Sequence, residues 1–291
     1  MMDLSQRTVN NDYWRNTCPL CGSQKLYSLG GVSYASPILF STTRITISSR
    51  PELWGCRDCQ SCFVQNTVDA DTAKLLYSTG QSGDRWSKVA FDQSKTSEVI
   101  EHMIAIFKDK GNVLDVGCNT GELLDFAQKL GCKTSGVEFS SASREILSEK
   151  GHRPYATLEE SAGEYDVITA FDLVEHLYDV SAFLKSCREK LSATGILVIL
   201  TGNINSLSAR LSGSRWWYAQ YPEHIVFPSK KYFRENSGYR IEKWIWTYAS
   251  IGYKFPIKRI WSEILNCVLR RQAYTGLPSI GPDHALITLK K

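Results

Sequence analysis

The segment Asn112–Gly121 restricts the architecture of this chain more than any other stretch. Val113-Leu114-Asp115-Val116 reads as a short apolar strand with an acid near its end, and Gly117-Cys118-Asn119-Thr120-Gly121 as a glycine-punctuated turn. Glu122–Leu130 then reads as a helix that stops at Gly131. Such a turn lets backbone approach a ligand at the carboxyl end of a strand, where open α/β sheets bind cofactors. The rhythm continues downstream, with strands expected at Lys133–Glu138, Tyr165–Phe171 and Ile196–Thr201 and helices at Ser141–Lys150 and Leu177–Leu191. Strands alternating with helices of this length make βαβ units and a largely parallel sheet, hence a doubly wound α/β fold. Gly238–Thr247 and His284–Lys290 read as two further strands, an antiparallel closing pair. Upstream, Ser97–Lys110 reads as a helix with Val99, Ile100, Met103, Ile104 and Phe107 on one face.

Dinucleotide-binding turns read G-x-G-x-x-G, whereas this one reads Asp115-x-Gly117-x-Asn119-x-Gly121. That pattern resembles the class I S-adenosylmethionine-dependent methyltransferases, whose first motif is acid-x-Gly-x-Gly-x-Gly. Asn119 stands at the middle glycine, and Asn is among the non-glycine residues that best tolerate a left-handed backbone. Glu138 ends the next strand, 21 residues after Gly117. An acid there can accept hydrogen bonds from both ribose hydroxyls. S-adenosylmethionine carries an ammonium, a sulfonium and a carboxylate but no phosphate, and Asp115 suits its amino-acid end. The resemblance implies a seven-stranded, mostly parallel sheet. It also implies cofactor contacts from Asp115, Gly117, Cys118, Asn119, Gly121, Glu138, Phe139, Thr157, Phe171, Asp172 and Leu173.

The run Tyr165–Leu177, ending Asp172-Leu173-Val174-Glu175-His176-Leu177, resembles a subgroup of that family with Glu-His-Leu or Glu-His-Val after the fourth strand. The subgroup includes ubiquinone-pathway O-methyltransferases and enzymes of sugar and polysaccharide modification. The resemblance implies that His176 faces the transferred methyl group. A hydroxyl attacks a sulfonium methyl poorly until it loses its proton, so a base with a pKa near neutrality is useful there. Asn205–Leu211, Arg215-Trp216-Trp217 and Pro222–Phe227 also resemble the subgroup, in which the region after the fifth strand, here about 203–235, helps to form the acceptor pocket. His224 lies in it and is an alternative base or acceptor contact. Trp216, Trp217, Tyr218 and Tyr221 suit stacking on a sugar face and equally suit a core.

Cys18-Pro19-Leu20-Cys21-Gly22 has the form of a zinc knuckle, and Cys56-Arg57-Asp58-Cys59 supplies a second C-x₂-C pair after 34 intervening residues. Two such pairs make a tetrahedral Cys₄ site, structural rather than reactive because no position is left open for water. Cys62 follows Cys59 at the same interval and competes as a ligand, although Trp54 and Phe63 fit the ribbon pattern best with Cys56 and Cys59 bound. Deoxysugar C-methyltransferases with an amino-terminal zinc ribbon are similar in layout but have a different glycine turn. Cys118, Cys132, Cys187 and Cys267 read as small buried hydrophobes.

The expected organisation is a zinc ribbon at 1–66, a helical connection at 67–111 and a cofactor-binding domain at 112–291. The first 16 residues are polar and lack a signal-peptide core, and no run of about 18 apolar residues occurs. A cytoplasmic protein with reduced thiols is expected, and nine cysteines then favour a metal site over disulfides. The apolar stretch Phe255–Arg271, with basic ends, is a candidate for peripheral membrane contact or for packing on its own fold. A net charge of +4 is ordinary, and Arg44, Arg50 and Arg57 are scattered among acids, which suits phosphate tracking poorly. No nucleic-acid partner is therefore expected. The leading functional expectation is O-methylation of a sugar or glycan hydroxyl. Alternatives are C-methylation of a keto-deoxysugar, O-methylation of an aromatic or lipid acceptor, and a ribbon module that binds nucleic acid or protein on a methyltransferase platform.

Overall fold

The computed structural model describes residues 7–34, 38–40, 43–79, 97–108, 110–248, 279 and 281–291. The first part contains β1 (Arg7–Val9), β2 (Leu26–Gly31), β3 (Ile38–Phe40), β4 (Thr43–Ile47), β5 (Glu52–Cys56), β6 (Cys62–Gln65), α1 (Ala70–Thr79) and α2 (Glu98–Phe107). There follow β7 (Asn112–Val116), α3 (Glu122–Lys129), β8 (Lys133–Val137), α4 (Ser141–Glu149), β9 (Arg153–Tyr155) and β10 (Tyr165–Phe171). The chain continues through α5 (Val180–Lys190), β11 (Leu191–Gly202), α6 (Leu207–Ser212), β12 (Val226–Phe227), α7 (Lys230–Glu235), β13 (Arg240–Thr247) and β14 (His284–Lys290). The stretch Phe255–Arg271 lies outside the described residues.

Seven strands form the main sheet in the order β13-β14-β11-β10-β7-β8-β9. β9, β8, β7, β10 and β11 run parallel, while β14 runs antiparallel to both β11 and β13. This is the expected sheet with its antiparallel closing pair. Residues alternate between two faces, as the pleat requires. Leu114, Ile168, Leu197 and Ile287 join α5, α7 and part of the amino-terminal region in one core, while Val113, Val167, Val198 and Leu286 pack with α2 and α3 in the other. β11 is buried over eight successive residues, Gly195–Gly202. A strand covered on both faces needs such a continuous apolar run.

Several boundaries differ from expectation for local reasons. The helix after the fourth strand begins at Val180, because Asp179 caps it by accepting the Ala182 amide at 2.8 Å. His176 therefore sits on a separate 3₁₀ turn, Val174–His176. β11 starts at Leu191, directly after α5. The edge strand is Arg153–Tyr155, so Thr157 lies beyond it, in a turn where its hydroxyl accepts the Glu160 amide. In α2 the buried face includes Ile106, with Ile104 only partly covered.

The cysteine-rich segment folds as antiparallel strands ordered β12-β6-β5-β2, beside a smaller sheet β1-β4-β3. The edge strand β12 comes from the other end of the chain: Val226 pairs with Phe63 and Phe227 with Cys62. Cys18, Leu20, Cys56, Cys59 and Phe63 belong to the same hydrophobic cluster as the main-sheet residues Leu114 and Ile168. The cysteine segment is thus packed continuously with the α/β core.

Leu124 on α3 is fully buried between helix and sheet. Leu124→Ala is expected to lower unfolding free energy by about 2–5 kcal/mol, measured by urea denaturation.

Candidate active site

A cavity of about 430 Å³ opens at the carboxyl ends of β7, β8 and β10. Its floor is the glycine turn. Gly117 and Gly121 have φ of +76° and +82°, and Asn119 has φ of +47°, so it occupies the left-handed region as expected. A Cβ on Gly121 would stand 2.6 Å from the Leu147 side chain, so that position needs glycine on conformation and on space. The Gly117 and Cys118 amides both donate to the Val137 carbonyl, which ties the turn to β8.

Of the residues expected at the cofactor, Asp115, Gly117, Cys118, Asn119, Glu138, Phe139, Phe171, Asp172 and Leu173 line the cavity. Gly121 supports the turn from behind, and Thr157 is not brought to the cavity. Asp115 is buried and accepts a 2.6 Å hydrogen bond from Thr169 on the neighbouring strand. Burial pushes its carboxyl up to about 7; the Thr169 bond opposes the rise and the field of Glu138 adds to it. Glu138 is held by the backbone, with one oxygen accepting the Asn119 amide at 3.1 Å and the other the Ser140 amide at 2.9 Å.

His176 also lines the cavity. Its Nδ1 lies 3.0 Å from the Glu223 carbonyl oxygen, which can only accept, so Nδ1 carries the proton and Nε2 the lone pair. The Tyr77 hydroxyl is 3.1 Å from the same nitrogen. Burial draws the His176 pKa down to about 4, so the ring is neutral at physiological pH. His224 stands behind it, with ring centroids 4.8 Å apart, and is not among the cavity-lining residues. The His224 Nδ1–H donates to the Tyr218 carbonyl at 2.7 Å. One nitrogen from each imidazole and one Glu175 oxygen converge within 4.8 Å, a set able to hold a divalent cation.

The aromatic run 216–221 lies apart from this cavity. Trp216, Tyr218 and Tyr221 are buried, and none of the four rings lines the cavity. Tyr218 instead donates to Asp172 at 3.1 Å and to Glu175, bridging a partly buried and a fully buried acid. Burial raises both carboxyls, that of Glu175 to about 7. For His284 burial opposes the charge, but its bond to Asp283 and the fields of Asp172 and Glu175 outweigh that and raise its pKa. Asp172 itself has φ of +47°, a strained conformation that turns its carboxylate toward Tyr218.

Ala70, Ala73, Lys74 and Tyr77 of α1, and Tyr178, also line the cavity. Sequence reasoning missed them. Helical periodicity locates an apolar face but gives no sign of which helix covers a site formed much further along the chain.

A methyltransferase-domain family profile matches residues 89–237, just over half of the chain. The chain belongs to the class I S-adenosylmethionine-dependent methyltransferase family. The methyltransferase relatives include the ubiquinone biosynthesis O-methyltransferase of Bradyrhizobium sp. (strain ORS 278), 35% identical over 109 residues, 34% of this chain and 43% of that protein. That of Caulobacter sp. (strain K31) is 28% identical over 158 residues, 46% of this chain and 63% of that protein. The chain thus spans less than two thirds of the length of these relatives. A solved SAM dependent methyltransferase from Archaeoglobus fulgidus is 21% identical, with TM-score 0.46 over 66% of this chain and 91% of that one.

At the far end of the ribbon, Cys18 and Cys59 sulfurs are 3.6 Å apart, as are those of Cys21 and Cys56, and all four lie within 4.8 Å of one another. A disulfide needs about 2 Å, whereas a tetrahedral zinc with four thiolates separates its sulfurs by about 3.8 Å. The donor set therefore fits zinc. Both knuckles share one backbone pattern. Gly22 at φ +72° returns its amide to Cys18 O, and Gln60 at φ +60° returns its amide to Cys56 O. The sequences Cys-x-x-Cys-Gly-Ser and Cys-x-x-Cys-Gln-Ser carry this signal. Cys62 points elsewhere, into the cluster with Leu53 and Val64.

An Asp115 carboxyl titrating near 7 stays protonated in the folded protein while its unfolded counterpart ionises near 4. Its contribution to stability is complete at low pH and is lost as pH rises through about 7. Ligand-free Asp115→Asn is therefore expected to lose less stability than the parent between about pH 5.5 and 7.5, by urea unfolding.

Proposed function

We propose that this protein transfers the methyl group of S-adenosylmethionine to a hydroxyl oxygen of an apolar, aromatic acceptor. The observation that carries the reading is the cavity itself, which Asp115, Glu138 and His176 all line. The fit to the methyl donor rests on charge. Asp115 is a buried carboxylate raised by desolvation, and a docking ammonium would offset that cost. Glu138 has both oxygens pre-set by the Asn119 and Ser140 amides and retains lone pairs for a pair of hydroxyls. Phe139, 54% exposed at the rim, offers a flat apolar surface. The bound donor supplies an electrophilic methyl carbon.

The chain's own residues then act on the acceptor. Leu173, Leu177, Ala73, Tyr77 and Phe171 make the pocket mostly apolar and exclude water. His176 offers its Nε2 lone pair as hydrogen-bond acceptor for the attacking hydroxyl and receives its proton. The Glu223 carbonyl holds the ring in the tautomer required. An apolar pocket suits a phenolic ring better than a sugar, and the buried state of Trp216, Tyr218 and Tyr221 weakens one of the features that suited a glycan. The names of the ubiquinone-pathway relatives support an aromatic acceptor. The Cys₄ cluster is read as a structural zinc site.

A second reading is favoured by the convergence of Glu175, His176 and His224. A divalent cation there would lower the pKa of an acceptor hydroxyl directly. Both imidazoles are held neutral by burial, the state a metal ligand requires.

Glu138→Ala is expected to weaken S-adenosylhomocysteine binding by at least about tenfold, the loss of a charge-assisted bidentate contact. Unchanged affinity by calorimetry would reject the ribose assignment. His176→Ala is expected to keep that affinity and lose about 10²–10⁴ in turnover. Turnover is read by mass spectrometry as one added methyl on a panel of phenols, polyprenylated phenols and nucleotide-sugars. Methylation confined to the sugars would overturn the acceptor class, and a loss of activity with chelator that Mg²⁺ restores would select the cation reading.

A further inference from the structure

The ribbon and the acceptor wall share one strand. Ser61 lies immediately beyond the second thiolate loop, and its carbonyl accepts the Cys56 amide at 2.9 Å. Its hydroxyl accepts the Ser229 amide at 2.9 Å, and the Ser229 hydroxyl donates to the Cys59 carbonyl. Both serines are fully buried. From Ser229 the chain runs back through β12, paired to β6, to Ile225. The Ile225 carbonyl accepts the Val64 amide at 2.8 Å, and its amide donates to the Glu175 carbonyl at 2.8 Å. His224 and Glu223 come next, and the Glu223 carbonyl is the group that fixes the His176 tautomer. A path of backbone hydrogen bonds, buried hydroxyls and the covalent chain 223–229 thus runs from Cys56 and Cys59 to both imidazoles.

Among the described residues, the hydrogen bonds that set the donor-side acids come from elsewhere. Asp115 and Glu138 are set by Thr169, Asn119 and Ser140, all within the main sheet and its turns.

We propose that the Cys₄ loop and strand β12 act as one unit, so that metal in the ribbon sets the positions of His176 and His224, and with them acceptor chemistry, while leaving donor affinity alone. Ser229 is the positioning residue at the joint. This rests on reading the thiolates as a zinc site and the cavity as a methyltransferase site.

The test uses the full-length protein with zinc measured by mass spectrometry before and after chelation. Loss of zinc is expected to speed amide exchange at 225–229 by about tenfold or more, as when a bond network worth about 1.4 kcal/mol is released. It should also shift the His176 and His224 ring signals in nitrogen NMR, while calorimetric affinity for S-adenosylhomocysteine changes by less than about threefold. The Ser229→Ala zinc-loaded protein should show the same exchange and ring shifts, with a lower kcat on whichever acceptor is turned over, and Ser229→Thr should restore both. Cys59→Ser should behave as the stripped protein and Cys62→Ser as the parent. Unchanged protection at 225–229 on zinc removal, or donor affinity falling in parallel, would overturn the proposal. A protein that neither carries nor takes up zinc would overturn its metal arm, and Ser229→Ala with unaltered exchange its wiring arm. An intact, zinc-loaded protein that fails to bind S-adenosylhomocysteine would instead defeat the methyltransferase reading.

Discussion

Parallel pairing of β8, β7 and β10 brings three carboxylates to one edge of the sheet. Because the strands share a direction and a register, Asp115, Glu138 and Asp172 all emerge at the same end. Gathering acids in a partly dehydrated cleft is unfavourable without a compensating cation or donor. The protein meets that cost in three ways: with the Thr169 hydroxyl at Asp115, backbone amides at Glu138, and Tyr218 between Asp172 and Glu175. The Asp115 carboxyl is pushed up to about 7 by burial, and it lines the cavity. Electrostatic demand is thus concentrated where a positively charged cofactor can answer it.

Much of this arrangement was legible in the chain because it is local. The strand–turn–helix unit at Val113–Leu130 declares itself through periodicity and glycine spacing, and Asn119 takes the left-handed conformation its chemistry allows. Glu138 was found by its place at the next strand end. The Cys-x-x-Cys pairs were found by spacing, and the repeated left-handed residue after each pair, Gly22 and Gln60, favours Cys59 over Cys62.

What escaped is non-local. Nothing in the run Trp216–Tyr221 distinguishes a ring that stacks on a ligand from one that bridges two acids; burial decides, and Trp216, Tyr218 and Tyr221 are buried against the amino-terminal strands and Phe227. His224 has the sequence neighbourhood of a pocket residue yet stands one ring behind the wall. Tyr77 and Lys74 lie on α1, which follows β6 in the chain and is brought to the cavity by tertiary packing that no local pattern declares. The Asp179 cap, which separates His176 from α5, is a signal that was present and outweighed by the apolar run around it.

Val226 lies 163 residues after its pairing partner Phe63. During synthesis the ribbon emerges early with β6 as an open edge, and at about 5–20 residues per second its partner follows roughly 10–30 s later. An unpaired strand with buried apolar positions is adhesive for that interval. The nascent chain therefore carries a transient hazard that the finished fold conceals, even though the thiolate knuckles, complete by Cys59, and the pairing of β2, β5 and β6 can form before the partner arrives.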